Sequence, residues 1–167
     1  EKALQAMREA RVENPDDLNL ILTEANVHYD MGNIEKFKSL LEYATTLDSE
    51  NPELQYNLGV IAAEANDVEN AMKYYNRAIE LNPKYVNAYI NLAALILAKE
   101  ESIISEMNNL GNSAADDRRY DFLRSKRKDL YFEAIPYLEK TICIDSSNYQ
   151  AAKTLSNIYS AIGDDVN

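Results

Sequence analysis

The sequence offers few side chains that could carry out covalent chemistry. It has one histidine, His28, and one cysteine, Cys143, among 167 residues. A metal or acid–base site needs several such groups at fixed spacings, and no metal-ligand, phosphate-loop or nucleophile motif accompanies either residue. His28 stands alone, so we expect a histidine packed in the core. We expect Cys143 to be a buried small apolar side chain. The sequence therefore predicts no enzyme, no metal site and no cofactor.

Charge is most concentrated in a basic run in the second half of the chain. Six basic residues lie within eleven positions: Arg118, Arg119, Arg124, Lys126, Arg127 and Lys128. Such a cluster could bind phosphate or an acidic partner. However, the surrounding residues 100–128 carry as many acidic side chains, so a solvated segment with internal ion pairs is the favoured interpretation. The net charge of −11 argues against a general nucleic-acid-binding protein, which needs a basic face.

Short helices that repeat along the chain must position these residues. The clearest unit runs from Pro52 to Tyr85, where small and large apolar residues mark two helices packed face to face. The inner positions are Leu58, Gly59 and Ala62 in the first helix and Ala71, Tyr75 and Ala78 in the second. The unit resembles the tetratricopeptide repeat, whose eighth and twentieth positions are small so that the helices approach closely; Gly59 and Ala71 fit. This resemblance implies an all-α, right-handed superhelix of antiparallel helix pairs with a groove that binds other proteins.

The same 34-residue register predicts one domain along the whole chain. The predicted units are the second helix of a truncated repeat at 1–15, repeats at 18–51, 52–85 and 86–148, and the first helix of a final repeat at 149–167. Gly32 and Asn66 tolerate positive φ and are expected to end two first helices, with Asn33 and Asp67 as the following N-caps. Phe37 departs from the pattern, because the family has a small residue there. Its ring should push the paired helices apart or turn toward a neighbour.

The repeat at 86–148 contains 29 extra residues, at about 100–128. Its first helix lacks a turn signal at Glu100, so we expect that helix to run on to Gly111 and the second helix to return as a projecting hairpin. The arms are predicted to pack through Ile103, Met107 and Leu110 on one side and Tyr120, Leu123 and Leu130 on the other. Pro136 should kink the second helix near Phe132. Similar hairpins are found in a subset of tetratricopeptide proteins, typically exported by Gram-negative bacteria, that share the Pro-Tyr-Leu-Glu-Lys run of residues 136–140.

The resemblance also implies a ligand groove lined by first-helix positions two, five, six, nine, twelve and thirteen. The candidates for contacts there are Asn26, Tyr29, Tyr56, Asn57, Val60, Asn91 and Asn157, with Asn87, Ile90, Ala94 and Lys153 on the same face. Asparagine side chains both donate and accept hydrogen bonds, so a row of them could hold an extended peptide by its backbone. An ordinary solvated helix face is the alternative. The carboxylate clamp that holds chaperone tails fits poorly, because Leu22 and Asn91 occupy positions of its cations.

The resulting prediction is a non-catalytic scaffold that binds a protein or peptide segment in the groove. Two alternatives stay open: recognition through the basic hairpin, and a self-assembling structural module that associates through its open repeat ends. At those ends the apolar residues expected to be uncovered are Leu4, Met7, Leu155 and Ile158. No stretch approaches the ~18 apolar residues of a membrane span. The resemblance favours export to the periplasm, and the sequence leaves the cytoplasm open.

Overall fold

Residues 2–164 are described by a computed structural model, in which the side chains of residues 2–4, 8 and 164 are left undescribed. The described chain is built from α-helices: α1 Lys2–Glu13, α2 Leu18–Asp30, α3 Ile34–Leu47, α4 Pro52–Glu64, α5 Val68–Leu81, α6 Val86–Leu97, α7 Glu100–Asn108, α8 Ala114–Ile144 and α9 Tyr149–Asp164. They group into two compact units that divide between Pro83 and Lys84. The all-α repeat fold is confirmed, and the grouping of the repeats into a single domain stays a prediction.

Short turns end the first helices of two pairs, as the sequence predicts. Gly32, between α2 and α3, has a φ of 73°, and Asn66, between α4 and α5, has a φ of 58°. Both residue types adopt this left-handed conformation more readily than others. Asp67 then caps α5, because its side chain accepts a hydrogen bond of 3.2 Å from the Asn70 N–H. Asn33 stands at the N-cap of α3, but its side chain makes no cap hydrogen bond.

Close contact between paired helices forms the core of the first unit. Ala25 and Ala71 are fully buried at the positions where the sequence predicts small residues. Phe37 is also buried, and its ring centroid lies 5.0 Å from that of Tyr29. The large ring of Phe37 therefore packs against an aromatic side chain of α2, the helix with which α3 is paired.

In the second unit, the prediction that one helix runs on to Gly111 is wrong. Helices α6 and α7 are separated by a turn at Ala98 and Lys99. Both residues keep right-handed helical backbone angles. The Lys99 N–H donates to the Ile96 carbonyl, three residues earlier, at 3.4 Å, which is the hydrogen-bond spacing of a 3₁₀ turn. A turn of this kind needs no glycine or asparagine, so the sequence carries no signal for it.

Helix α7 packs against the N-terminal half of α8 to form the predicted helical hairpin. Ion pairs link the arms: the Arg119 Nε lies 2.6 Å from the Glu106 Oε1, and the Arg127 Nε lies 2.7 Å from the Glu100 Oε1. The order of these pairs along the two helices shows that the arms are antiparallel. A reciprocal capping box of Ser113 and Asp116 begins α8.

The apolar side of α8 differs in one residue from the predicted hairpin core. Leu123 and Leu130 are buried as expected, but Tyr120 is 46% exposed. Tyr120 lies near the start of α8, at the tip end of the hairpin, and Tyr131, farther along the helix, is buried instead. Helix α8 continues through Pro136, and the kink near Phe132 stays a prediction.

The expected uncovered residues at the chain ends have different outcomes. Ile158 is buried, because α9 packs against α8, so the prediction that it lacks cover is wrong. Met7 and Leu155 are half-buried. Leu4 lies outside the described side chains. Self-association through these ends stays a prediction.

Candidate functional site

A cleft lies on the predicted binding face of the second unit, between α6 and α9. Its volume is about 230 Å³. The residues that line it are Ile90, Ala93, Ala94, Leu97, Leu138, Gln150, Ala151 and Thr154. Most of this lining is apolar, and Gln150 and Thr154 add polar groups from α9. A cavity with an apolar lining and a few polar groups is typical of ligand sites.

Helical spacing explains why these side chains meet. Ile90, Ala94 and Leu97 follow one another at intervals of four and three residues, so they lie on one face of α6. Gln150 and Thr154 are four residues apart and share a face of α9 in the same way. The start of α9 is held by the Asn148 side chain, which accepts a hydrogen bond of 3.0 Å from the Ala151 N–H. Two helical faces therefore converge on the buried Leu138 of α8.

The predicted groove residues of this unit contribute unequally to the cleft. Ile90 and Ala94 line it, whereas Asn87, Lys153 and Asn157 are exposed on the same helices outside it. Asn91 is half-buried, outside the lining, and makes interactions within the fold. Sequence analysis missed Gln150 and Thr154. The same rule would have found them, because they are the second and sixth positions of the repeat that begins at Tyr149.

In the first unit, the predicted face is crossed by a hydrogen bond between α2 and α4. The Tyr29 hydroxyl donates to the Glu64 Oε1 at 3.3 Å. The negative charge of Glu64 and this hydrogen bond raise the pKa of Tyr29. Asn26 is exposed on α2. Glu64 was missed by sequence analysis, although it occupies position thirteen of the repeat that begins at Pro52.

The other predicted residues of the first unit belong to α4. Tyr56, Asn57 and Val60 are all half-buried. The Tyr56 ring centroid lies 5.7 Å from that of Tyr75, so this side chain packs partly on the second helix of its own pair. Each of these three residues is therefore less exposed to solvent than a residue on a fully solvated helix face.

The basic run divides into residues that hold the hairpin together and residues that face water. Arg119 and Arg127 form the ion pairs with α7 described above. Arg124 and Lys128 are half-buried and make interactions within the fold. Arg118 and Lys126 are exposed.

Arg127 is half-buried and packs between the arms of the hairpin. Its guanidinium carbon is 5.4 Å from the Tyr131 ring centroid, and the Tyr131 hydroxyl donates to Glu100, the same carboxylate that Arg127 pairs with. Burial, followed by the hydrogen bond to Glu100, raises the pKa of Tyr131 to about 12. Cross-arm packing and pairing thus engage the Arg127 side chain, and its part in a partner-binding set stays a prediction.

Of the two residues considered for covalent chemistry, His28 is buried and Cys143 is exposed. His28 is buried as predicted: its Nδ1 lies 3.4 Å from the Asn33 Nδ2, and its Nε2 lies 3.9 Å from the Glu24 Oε1. Cys143 is exposed, so its expected burial is wrong. It lies two residues beyond the fully buried Thr141 and therefore on a different side of α8.

Within the part of the chain that the structure describes, no group of three or more His, Cys, Asp or Glu side chains could hold a metal ion. None of the described helices combines the length and the apolar character that crossing a membrane requires.

Comparison with known families agrees with the helix pairs described above. Tetratricopeptide repeat profiles match residues 22–86 and 74–119, and together they cover α3 to α7 and most of α2. The chain belongs to the tetratricopeptide repeat family. The further resemblance to exported proteins with a long hairpin stays a prediction.

Similar sequences come from proteins of different kinds. Human protein O-mannosyl-transferase TMTC3 is 27% identical over 180 residues, which cover 96% of this chain and 18% of that protein. Photosystem I assembly protein Ycf3 of Rippkaea orientalis is 28% identical over 124 residues, which cover 67% of this chain and 63% of that protein. The chain thus spans only part of the length of either relative.

Solved structures share the tetratricopeptide fold. A crystal structure from Bacteroides ovatus has a TM-score of 0.76 at 17% identity, covering 99% of this chain and 90% of that chain. The first tetratricopeptide domain of Spaghetti (RPAP3), bound to an HSP90 peptide, has a TM-score of 0.59 at 18% identity, covering 87% of this chain and 95% of that one. At these identities the similarity shows the fold alone.

Proposed function

We propose that this chain is a non-catalytic scaffold that binds a protein or peptide segment on its first-helix face. In this proposal, one apolar side chain of the segment enters the cleft between α6 and α9. Tetratricopeptide repeats generally serve as non-catalytic protein-interaction modules, and the related Spaghetti domain is bound to a peptide. The observation that carries the proposal is the convergence of Ile90 and Ala94 with Gln150 and Thr154 around one cleft.

The lining of the cleft favours an apolar side chain over a charged one. A buried charge without a partner is costly, and the lining contains no charged residue. The cleft is smaller than the roughly 300–1,000 Å³ of sites for drug-sized molecules, so it suits a single side chain. Full burial of a Leu or Phe side chain would contribute about 1.5–3 kcal/mol to binding.

Polar groups near the cleft could hold the backbone of the same segment. Gln150 and Thr154 each offer both donors and acceptors. Asn157, on the same helix, is exposed and could continue this row. Asn91 is a further proposed contact in the second unit. Taken by itself, the first unit has its own proposed contacts on α2 and α4: Asn26, Tyr29, Tyr56, Asn57 and Val60.

Peptides selected from a random phage-displayed library on the wild-type chain would test the proposal. The decisive variant is Ala94→Trp, because Ala94 is exposed and lines the cleft, so an indole there would fill it without entering the core. The matched control is Ala152→Trp, which adds the same ring at an exposed position of α9 outside the cleft.

Selected peptides should contain an apolar residue, and their affinity, measured by isothermal titration calorimetry, should fall at least about tenfold in Ala94→Trp, which corresponds to ~1.4 kcal/mol. The control should bind like the wild type. Selected peptides that bind both variants equally well would overturn the proposed site.

A further inference from the structure

The outer side of the hairpin presents an aromatic ring between two cations. Phe122 of α8 is 49% exposed. The Arg119 guanidinium carbon lies 5.1 Å from its ring centroid, and the Lys126 Nζ lies 5.7 Å from it. Both distances are within the range of cation–π attraction. The ring therefore lies in a defined environment on the surface, and it does not belong to the hairpin core.

This arrangement is held in place by the other arm of the hairpin. Arg119 reaches the Phe122 ring and also pairs with Glu106 of α7 at 2.6 Å. The hydrogen bond from Arg119 lowers the pKa of Glu106, so the carboxylate stays charged to lower pH. Because the pair with Glu106 already holds the Arg119 side chain beside the Phe122 ring, less side-chain entropy is lost when a partner binds.

Cations continue on both sides of the ring along the helix. Arg118 and Lys126 are exposed and lie four residues before and four residues after Phe122, so the three residues form one stripe. Eight residues of helix span about 12 Å. The stripe therefore presents positive charge, an aromatic ring and positive charge in that order.

We propose that this stripe binds an acidic segment of a partner protein in extended conformation. The segment has a large apolar or aromatic residue against the exposed part of the Phe122 ring and one carboxylate at each of Arg118 and Lys126. Four steps of an extended chain span about 13 Å, which matches the length of the stripe. The favoured pattern is thus an acidic residue, any residue, an aromatic residue, any residue and a second acidic residue.

Charge complementarity decides this choice of partner. The exposed cations of the stripe are Arg118 and Lys126, and Asp121 is the one acidic side chain within residues 118–128, on a chain of net charge −11. A nucleic acid requires a broad basic face, and an anionic membrane requires a basic surface along the length of a helix. Two exposed cations beside one ring provide neither. A narrow stripe centred on one ring fits a short peptide.

The test uses a fluorescein-labelled peptide, Gly-Glu-Gly-Phe-Gly-Glu-Gly, and fluorescence anisotropy with the full chain. Two control peptides replace the phenylalanine by serine or both glutamates by lysine. The variants are Phe122→Ser and the double charge reversal Arg118→Glu with Lys126→Glu. Matched controls are Phe132→Ser, which removes a 59% exposed ring of the same helix, and Lys140→Glu, at another exposed lysine of α8.

The labelled peptide should bind the wild-type chain, and each of the two test variants should weaken binding by about fivefold, as expected for exposed ion pairs and a surface ring. Both control peptides should bind more weakly. Affinity should also fall as NaCl rises from about 0.05 to 0.5 M. Circular dichroism checks the fold of each variant, and the charge reversal keeps the ring, so it tests the proposal even if Phe122→Ser is unstable.

Several results would overturn the proposal. One is no binding of the labelled peptide, and another is an equal loss in Phe132→Ser. Binding of phosphatidylserine vesicles or of a single-stranded oligonucleotide through Phe122, without peptide binding, would assign the stripe to a different partner. Self-association that is lost in Phe122→Ser, again without peptide binding, would assign it to a second copy of this chain. None of these results bears on the cleft between α6 and α9.

Discussion

A Cβ atom at Gly59 would lie 2.6 Å from two ring carbons of Tyr75. The Tyr75 side chain is 2% exposed, and its ring packs against that of Tyr56, so it has little room to move away. Helices α4 and α5 therefore approach each other to a distance that glycine permits and alanine does not. This contact is the physical basis of the small eighth position in the repeat.

Gly59→Ala should destabilise the chain. Overpacking in a tight core costs roughly 1–3 kcal/mol, whereas alanine in a helix gains only about 1 kcal/mol over glycine, so a net loss is expected in urea unfolding. Gly163→Ala is the control, because nothing lies within 4 Å of its added Cβ. The loss should shrink in a Tyr75→Leu background. An equal loss in both backgrounds would show that the ring is not the cause.

Arg11→Met should destabilise the first unit more than the double variant Arg11→Met with Glu24→Met. Glu24 is buried, and its Oε2 lies 2.5 Å from the Arg11 Nη1. Removal of one partner from a buried ion pair costs about 3–5 kcal/mol, while replacement of both by apolar side chains is often neutral. Thermal unfolding of the two variants and the wild type measures this difference. A double variant less stable than Arg11→Met would contradict it.

Stability should fall as the pH rises above 10, in part because of Tyr131. Its pKa is raised to about 12 by burial and by Glu100, whereas that of an unfolded tyrosine is about 10. Between these values the folded chain binds more protons than the unfolded chain, so the free energy of unfolding decreases with pH. The contribution of Tyr131 is complete below pH ~10 and is lost by pH ~12.

Tyr131→Phe isolates this contribution. Urea unfolding at a series of pH values should show a shallower decline for this variant, and the absorbance of tyrosinate should show one late-titrating group fewer. Part of the decline in stability with pH should remain in this variant, because other tyrosines, such as Tyr29 and Tyr43, also have raised pKa values. An unchanged slope would mean that Tyr131 titrates normally.

Deletion of residues 100–128, with Lys99 joined to Asp129 through Gly-Asn, should leave a helical chain that unfolds cooperatively. Repeat proteins are held by contacts between neighbouring repeats, and α6 already ends before the deleted segment. Some stability is lost because Tyr131 loses its Glu100 partner, about 1 kcal/mol for one hydrogen bond. Tyr131→Phe controls for that bond. Circular dichroism that shows an unfolded deletion variant would mean that the hairpin completes the core.

Residues with strong conformational preferences made much of the fold predictable. Gly32 and Asn66 mark turns because few other residues adopt positive φ, and their spacing sets the register of the repeats. The turn at Ala98 and Lys99 escaped prediction because it keeps helical backbone angles and depends on a change in hydrogen bonding. Cys143 was misplaced because its small side chain gives no information about the side of the helix on which it lies.

The candidate sites were predictable as helix faces and not as cavities. Repeat positions placed Ile90 and Ala94 on the correct side of α6, yet only the structure shows that Gln150 and Thr154 complete a cleft with them. Similarly, the sequence shows six basic residues in one run, but their spacing does not reveal that Arg127 turns inward toward Glu100 or that Phe122 stays outside. Those positions depend on the packing of one arm against the other.

The continuity of α8 has a mechanical consequence. At 31 residues it is about 46 Å long, and it packs against α7 in the hairpin and against α6 and α9 in the rest of the second unit. The other arm joins α6 through the weakened turn at Lys99. A pull on the hairpin tip would therefore reach Leu138, at the base of the cleft, along the backbone of α8. Between the two, the helix continues through Pro136, which has no N–H to donate to the helical hydrogen bonds.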